Sequence, residues 1–480
     1  MNKVDNQVNN IAELLQKIPP IFTSKEKDSV QMKNVAHLKR AVEYYLYDPD
    51  FRKKFDNDAD GTLKNYAIEA SVKDVEILVN ARAAKEISSN PEKIPLAVWQ
   101  YYSFFAEKLQ WRDNSQLVRC VPENTAFKKW RQRQVNRSWG EFNGENSSFI
   151  HVPLVFELSL GCSVGCPFCA LSSEQLQKIF RATEDNIELW KAILEISKEI
   201  IGSAAGEGVC YFATEPLDNP DYEVFSGLFR KILGRTPQIT TAVAMRNPER
   251  TRNLILDSLN GPPIIHRFSI LNLQTFRDIC NSFTPEELLY VELLARFEES
   301  LTYDITKAGR SFDENALSLT DRVANTISCA SGFIVNMAEQ SIRLTTPCSA
   351  DKEHPTGEII FPKVYFSDAD DFRNKILQII KEEMPMSMDM QKVLKLQNFY
   401  RIEETGEGVN FVSTSKFVFK LKEQKVSYFY KETAKMLAVN TYTGRQIALA
   451  VSEKTNADIA EIFNFLRLLY NAGIVEYKTK

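Results

Sequence analysis

The sequence lacks a charge excess of either sign, since 59 lysine and arginine residues stand against 63 aspartate and glutamate residues in a chain of 480. Without a basic field, nucleic acid is not an expected partner. Long hydrophobic runs are also missing, and none approaches the ~20 residues that span a membrane. The first 22 residues are polar and acidic where a signal peptide has a basic patch and an apolar core. These absences predict a cytoplasmic protein with no membrane and no nucleic-acid partner.

Cysteine and histidine are scarce, with eight and four residues. Eight cysteines are too few for a disulfide scaffold in a chain of this length. Three of them, Cys162, Cys166 and Cys169, nevertheless share one C-x3-C-x2-C segment. This segment follows an apolar run over 152–160 that is typical of a buried strand. The local concentration of thiols predicts a metal centre.

The spacing favours an iron-sulfur cluster over zinc. Three thiolates on a short loop can hold three corners of a cubane cluster and leave one iron open, and an open position is typical of a catalytic metal site. Zinc would need a fourth cysteine or histidine nearby, and no histidine lies in this loop or in the segment after it. Gly161 and Gly165 give the loop the backbone freedom to wrap around a cluster. Chance burial of three cysteines is the other alternative.

The segment 158–169 resembles the cluster motif of the radical S-adenosylmethionine (SAM) enzymes. The resemblance implies that Cys162, Cys166 and Cys169 ligate a [4Fe-4S] cluster and that S-adenosyl-L-methionine binds the open iron. An electron from the cluster then cleaves the cofactor to a 5'-deoxyadenosyl radical. An electron donor such as flavodoxin or ferredoxin is therefore an expected partner.

Three more residues are candidates for binding the cofactor. The segment 212–216 has Ala213 and Thr214 where the family has two glycines, but it keeps the acidic residue Glu215. The resemblance implies that Thr214 and Glu215 bind the methionine end of the cofactor, and a carboxylate is a good acceptor for its ammonium group. Capping of the next helix is the alternative role for Glu215. Phe168 is implied to lie against the adenine, with core packing as its alternative.

Strand and helix patterns alternate after about residue 150, which indicates a parallel sheet with helices on its outside. Together with the resemblance, this predicts an α/β fold containing a partial (β/α)6 radical SAM barrel, with its site at the carboxyl ends of the strands. The predicted parts are an N-terminal helical region at 1–140, the barrel at 150–365, a helical connector at 366–411 and a winged-helix-like domain at 412–480.

Individual elements can be predicted as well. Amphipathic helices are expected at 11–15, 35–47 and 97–109. In the barrel, strands are expected at 208–214, 238–244 and 264–271. Helices are expected at 185–201, after a capping-box spacing at 172–175, at 222–233, and after the capping signals at 247 and 284. In the last part, a hairpin is expected at 417–430, a helix at 443–452 and a further helix capped by Asn456.

The order of elements in 412–480 resembles the winged-helix leader-recognition domain of peptide-modifying enzymes. Such a domain binds a leader peptide by adding it as a strand to a sheet edge. A generic packing module is the alternative.

Further motifs resemble the radical SAM peptide epimerases, which convert L- to D-residues in ribosomally made, proteusin-type precursor peptides. These motifs are W-R-x-R-Q-x-x-R at 130–137, S-G-F-x-V-N at 331–336 and T-P-C at 346–348. The resemblance implies that the partner is a precursor peptide with a leader and a core.

The remaining cysteines argue separately for epimerisation. After Cys169 there are four, widely spaced and without a C-x2-C pair, so a second cluster is not expected. Crosslinking oxidises the peptide and usually uses auxiliary clusters, whereas inversion of an α-carbon is redox neutral. A radical peptide cyclase, a methyltransferase and a non-catalytic leader-binding scaffold remain alternatives.

Inversion also needs a hydrogen donor, and the family uses a cysteine thiol. We predict Cys348, because it follows an expected strand at 342–346, at the strand end where barrel chemistry gathers. Cys329, at the start of a strand, is the second choice. Cys210 and Cys280 are predicted to be core residues, because unpaired cysteine is commonly buried.

Overall fold

The computed structural model describes residues 19–24, 26, 29–88, 93–313, 325–405, 408–420 and 428–477. Its fold is a mixture of helices and sheets, which confirms the predicted α/β class. None of the described helices is both long enough and apolar enough to cross a membrane.

The N-terminal part is helical. Its helices are α1 Val30–Tyr47, α2 Pro49–Asn57, α3 Ala59–Asn65, α4 Val72–Val79, α5 Ala81–Ser88, α6 Leu96–Asn114 and α7 Thr125–Phe142. The helices predicted at 35–47 and 97–109 are present within α1 and α6. The helix predicted at 11–15 lies outside the described residues.

The central part contains the strands that position the site. Its elements are β1 Val152–Glu157, β2 Ser159–Leu160, β3 Lys178–Ile179, α8 Glu184–Ile201, α9 Tyr222–Leu233, β4 Thr240–Thr241, α10 Pro248–Ser258, β5 His266–Ile270, α11 Leu273–Ser282, β6 Val291–Ala295, β7 Ala330–Asn336, β8 Ser341–Pro347, β9 Glu358–Ile360 and β10 Val364–Tyr365.

The strands that position the site are parallel. Strand β1 pairs with β7, and β5 pairs with both β4 and β6, all in parallel. The pairings of β8 with β7, β9 and β10, and of β2 with β3, are antiparallel. A single parallel bridge joins Val155 of β1 to Val209. Among the described residues the strands do not close into a barrel. Burial alternates along β5 and β6, as expected where one face packs on helices and the other faces a cavity.

Asp48 connects the N-terminal helices to the strands. Its carboxylate caps α2 by accepting hydrogen bonds from backbone N–H groups, and it also pairs with Arg277 of α11 at 2.7 Å. Although burial opposes the change, the charge and hydrogen bonds of Arg277 lower the pKa of Asp48. The contact is continued by aromatic packing of Tyr44 against Phe51 and Phe276. The helical part and the strands β5 and β6 therefore share one hydrophobic core.

Two elements predicted in the central part take another form. The strand predicted at 208–214 is reduced to the bridge at Val209, because the N–H of Ala213 donates to the side chain of Glu157 and not to a neighbouring strand. No helix follows residue 284, although Thr284 and Glu287 do form the reciprocal hydrogen bonds of a capping box. The chain instead enters β6, whose pairing with β5 overrides the local signal.

The C-terminal part contains α12 Ala369–Glu383, β11 Leu394–Leu396, β12 Tyr400–Thr405, β13 Gly408–Ser413, β14 Val418–Lys420, α13 Tyr428–Ala438, α14 Gly444–Thr455, α15 Ile459–Asn471 and β15 Val475–Tyr477. Strand β11 pairs with β15, and one core extends from Met388 to Val475. The predicted boundary at 412 therefore lies inside β13. The predicted helical connector contains one helix, followed by β11 and β12.

Two local predictions in this part were wrong. The expected hairpin is replaced by the pairing of β14 with β13, and the chain is helical from Tyr428 onward. Residues 421–427, in the middle of that hairpin, lie outside the described residues. Asn456 ends α14 in a left-handed conformation, and Asp458 caps α15. Asparagine suits both helix ends, so the sequence alone could not separate the two roles.

Candidate functional site

Strand β1 leads the three-cysteine segment to the carboxyl ends of the parallel strands. The three cysteines are half-buried and line one cavity of about 280 Å³, which we call the front cavity. The cavity walls contain six of the seven predicted site residues, namely Cys162, Cys166, Phe168, Cys169, Thr214 and Glu215.

The three-cysteine loop is closed at its base by backbone contacts. Cys162 pairs with Gln175 in a parallel bridge, and its N–H donates to the carbonyl of Glu174 at 2.9 Å. Gly161 has a φ of +84°, and a Cβ there would lie 2.1 Å from the carbonyl oxygen of Gln175. Ser172 also has a positive φ, of +50°, so the predicted capping box between Ser172 and Gln175 opens no helix. Only glycine fits at position 161 without moving the base of the loop.

Two long-range clamps hold the outer part of the loop. The buried carboxylate of Asp218 accepts a hydrogen bond from the N–H of Ser163 at 2.8 Å and pairs with Arg246 at 2.9 Å. On the other side, the guanidinium of Arg310 donates to the carbonyl of the second cysteine at 2.7 Å, and its backbone N–H donates to the carbonyl of the third at 2.9 Å. No local sequence pattern indicates either clamp, because both join residues that are far apart in the chain.

The thiols of this loop are held in a partly desolvated setting. Burial raises the pKa of Cys162 to about 11, although the N–H groups of Val164 and Gly165 oppose that change. Burial likewise raises the pKa of Cys166. Ligation to iron replaces the proton, so a bound metal would have to offset this cost.

The donor set fits a three-ligand cluster. Among the described residues, no three His, Cys, Asp or Glu side chains are close enough to hold a single metal ion. A cubane cluster makes a different demand, because each cysteine binds its own iron and the sulfur atoms need only face one cavity. Cys162, Cys166 and Cys169 meet that demand.

Glu215 is buried and links its own segment to the carboxyl end of β4. One carboxylate oxygen accepts from the N–H of Leu217 at 3.1 Å and caps the short helical turn Pro216–Asp218, and the other accepts from the N–H of Ala242 at 2.9 Å. Burial raises the pKa of this carboxyl group. Because a carboxylate has about four acceptor positions, these two hydrogen bonds and a third from the side chain of Thr241 leave capacity for one ligand group in the front cavity. Binding of an ammonium group stays a prediction.

Sequence reasoning missed Glu157, which lies at the end of β1. One of its carboxylate oxygens accepts from the N–H of Ala213 at 2.9 Å, and the other accepts from the side-chain amide of Asn336 at 3.2 Å. Glu157 is only 2% exposed. The signal that could have found it is an acidic residue inside an otherwise apolar run.

Cys348 does not line the front cavity. Strand β8 is antiparallel to β7, and β7 is parallel to β1. The carboxyl end of β8 therefore lies at the same edge of the sheet as the amino ends of β7 and β1. The argument that placed Cys348 at the carboxyl ends of the strands was therefore wrong. Cys348 is buried, and this burial raises the pKa of its thiol. Glu141 of α7 raises that pKa further, whereas Arg137 of the same helix lowers it.

Cys329, the second choice, does line the front cavity. It directly precedes β7, and its carbonyl accepts a hydrogen bond from the N–H of Val152 at 2.9 Å. Burial raises the pKa of its thiol, and Glu358 acts in the same direction while Arg267 opposes it. Cys329 is therefore a protonated thiol at neutral pH.

No family model matches this chain. An uncharacterized protein of Sinorhizobium fredii, y4wI, is 29% identical over 465 residues, which cover 93% of this chain and 88% of that protein. Among solved structures, BtrN in complex with AdoMet and 2-DOIA matches with a TM-score of 0.32 and 16% identity, over 48% of this chain and 81% of BtrN. A likeness at this level transfers neither a fold nor a function.

We expect Gly161→Ala to bind much less iron than the wild type after anaerobic reconstitution. The added methyl group would lie 2.1 Å from a backbone oxygen, and the positive φ costs alanine a further ~1 kcal/mol. Gly165→Ala is the matched control, because Gly165 also has a positive φ but has nothing within 4 Å of its Cβ position. Iron per chain and the visible absorbance of the cluster measure the effect. Equal iron in the two variants would contradict the role of the closed loop base.

Proposed function

We propose that this protein is a radical SAM enzyme that epimerises L- to D-residues in a ribosomally synthesised precursor peptide. The observation that carries the proposal is the front cavity, whose wall contains three cluster-type cysteines and, separately, the thiol-bearing residue Cys329.

In this proposal, Cys162, Cys166 and Cys169 hold a [4Fe-4S] cluster. Such a cluster, when bound, supplies the electron that cleaves S-adenosyl-L-methionine to a 5'-deoxyadenosyl radical. Glu215 and Thr214 bind the methionine end of the cofactor, and Phe168 packs against the adenine. The low exposure of Glu215 supports this role, because a charge-assisted hydrogen bond is stronger where water is excluded.

Cys329 is the hydrogen donor in this proposal. When the α-hydrogen has been removed from one face, the planar peptide radical takes a hydrogen atom from the Cys329 S–H on the other face. The S–H bond breaks, a C–H bond forms and the sulfur is left as a thiyl radical. Only the thiol form can give a hydrogen atom, so the raised pKa of Cys329 keeps it in the active form.

The first test is the variant in which Cys162, Cys166 and Cys169 are all changed to Ala. We expect it to bind no cluster and to form no 5'-deoxyadenosine. A variant that kept its iron and its cleavage activity would overturn the proposal.

The reaction is identified by mass spectrometry of the precursor peptide whose gene lies nearest to the gene for this protein. Epimerisation adds one deuterium per converted residue in heavy water and changes no mass in ordinary water. A cyclase would remove two hydrogens and a methyltransferase would add a methyl group. A scaffold would leave the peptide and the cofactor unchanged.

The second test separates the two candidate donors. We expect Cys329→Ala to cleave S-adenosyl-L-methionine but to lose D-residue formation by at least about a hundredfold, which corresponds to ~2.7 kcal/mol of activation free energy. Cys348→Ala should retain it, because Cys348 does not line the front cavity. Chiral amino-acid analysis of the peptide measures both. The opposite pattern would return the donor role to Cys348.

Peptide recognition is proposed for the C-terminal part together with α7. The two enclose a groove of about 810 Å³, and β15 contributes to its wall. Among the described residues, β15 pairs only with β11, so its other edge can accept an added strand. The groove walls include Trp130, Gln134, Phe361, Lys392, Val475 and Tyr477.

The third test fills this groove. We expect Gln134→Trp to weaken binding of the full-length precursor by about tenfold or more, a loss of ~1.4 kcal/mol, and to leave cleavage of S-adenosyl-L-methionine intact. Lys128→Trp is the control, because Lys128 is exposed on the same helix and does not line the groove. Fluorescence anisotropy with a labelled leader peptide measures both. An unchanged affinity in Gln134→Trp would move the binding role to the N-terminal helices.

A further inference from the structure

A second cavity, of about 340 Å³, lies at the amino ends of the strands, and we call it the rear cavity. It is lined by residues near the amino ends of the strands, such as Gln238, two residues before β4, and Ile265, directly before β5, and by residues of α6. The α6 side chains in its wall are Lys108, Leu109, Trp111 and Arg112. The rear cavity thus lies at the end of the strands opposite the three-cysteine loop.

The two cavities share part of their walls. Val152, Val209, Arg267 and Cys329 line both the front cavity and the rear cavity. As a residue, Cys329 is half-buried. Cys329 therefore has access to two compartments, of which only the front one contains the cluster cysteines.

The rear cavity has an excess of positive charge at its inner end. Glu292 is shared between Lys108 and Arg267, which is 2.9 Å away. Although burial opposes it, the charges of Arg267 and Lys108 lower the pKa of Glu292 to about 2. One carboxylate thus faces two cations beside Cys329.

A second carboxylate in the wall of the rear cavity, Glu207, is shared between Arg119 and Arg235, each 3.0 Å away. Arg119 lies behind the wall, over the ring of Trp111 at 3.9 Å. The charged side chains in the wall itself are four cations and two carboxylates, namely Lys108, Arg112, Arg235, Arg267, Glu207 and Glu292. Because cations outnumber carboxylates, the rear cavity attracts small anions.

A residue in the wall of the rear cavity also has an unsatisfied hydroxyl group. The side-chain oxygen of Thr236 is buried and has no hydrogen-bond partner among the residues that the structure describes. Leaving a buried hydroxyl without a partner costs about 1–3 kcal/mol.

We propose that the rear cavity binds a small anionic thiol and admits it to Cys329. The proposal rests on the proposed function in one respect, namely that Cys329 is left as a thiyl radical after each inversion. The bound thiol then gives up its hydrogen atom: its S–H bond breaks, the S–H bond of Cys329 forms again and the small thiol leaves as its own thiyl radical. The thiol of Cys329 is thus regenerated through the rear cavity while the peptide and the cofactor occupy the front cavity.

The experiment uses the reconstituted full-length protein with S-adenosyl-L-methionine bound, so that the front cavity is occupied. The reagents are two methanethiosulfonates of similar size, one with a sulfonate group and one with a quaternary ammonium group. Labelling of Cys329 is followed by peptide mass spectrometry. We expect the sulfonate reagent to label Cys329 faster than the ammonium reagent by about tenfold or more.

A cavity-filling variant tests the route. Ile264 lines only the rear cavity, so Ile264→Trp should slow labelling of Cys329 by about tenfold or more, since a closely packed side chain leaves no passage. Leu256→Trp is the matched control, because Leu256 is 41% exposed and lines neither cavity. If Ile264→Trp does not fold, as judged by circular dichroism, Thr236→Trp fills the same cavity.

Three results would overturn the proposal. Labelling that is abolished by S-adenosyl-L-methionine but unaffected by the filled rear cavity would mean that Cys329 is reached from the front. Faster labelling by the ammonium reagent would exclude an anionic ligand. No labelling even at alkaline pH, where the thiolate that reacts with methanethiosulfonates forms, would exclude a passage. These results need no turnover, so they are independent of the proposed function: loss of the epimerase assignment would leave the labelling pattern, and the rear site, unchanged.

Discussion

The buried carboxylate of Glu157 is the contact on which the candidate site depends. It ends the fully buried strand β1 and holds the backbone of Ala213 and the side chain of Asn336 at the same level. These three segments carry the three-cysteine loop, Glu215 and strand β7. A buried carboxylate without these hydrogen bonds would be strongly destabilising, so the three segments are held together by one group.

The parallel strands give the interior two ends of different character. At the carboxyl ends, the front cavity is lined by thiols and by apolar and aromatic side chains, with Glu215 as its buried carboxylate. At the amino ends, the wall of the rear cavity contains charged side chains, and its cations outnumber its carboxylates. Cys329 is in the wall of both, which is why its position supports a redox role better than that of Cys348.

Several local signals were present in the sequence and were then overridden. The capping box of Thr284 and Glu287 forms, yet the next residues enter β6 because they pair with β5 and fill the core. Residues 428–430, predicted to lie in the second arm of a C-terminal hairpin, instead begin helix α13, whose buried face packs into the core of the C-terminal part. In both cases tertiary packing outweighs a propensity worth only a few tenths to about 1 kcal/mol per residue.

The sequence by itself determined the α/β class, the N-terminal helices and the grouping of cluster-type cysteines, because these depend on spacing and periodicity within short segments. It also identified Phe168, Thr214 and Glu215 as neighbours of that loop, through the resemblance of two short motifs. Only the tertiary structure decided which cysteine faces the front cavity. The position of Cys348 depends on the antiparallel pairing of β8 with β7, and the residues near Cys348 and Cys329 do not specify the direction of that pairing. The clamps from Asp218 and Arg310, and the rear cavity, likewise arise from contacts between distant residues that no local pattern specifies.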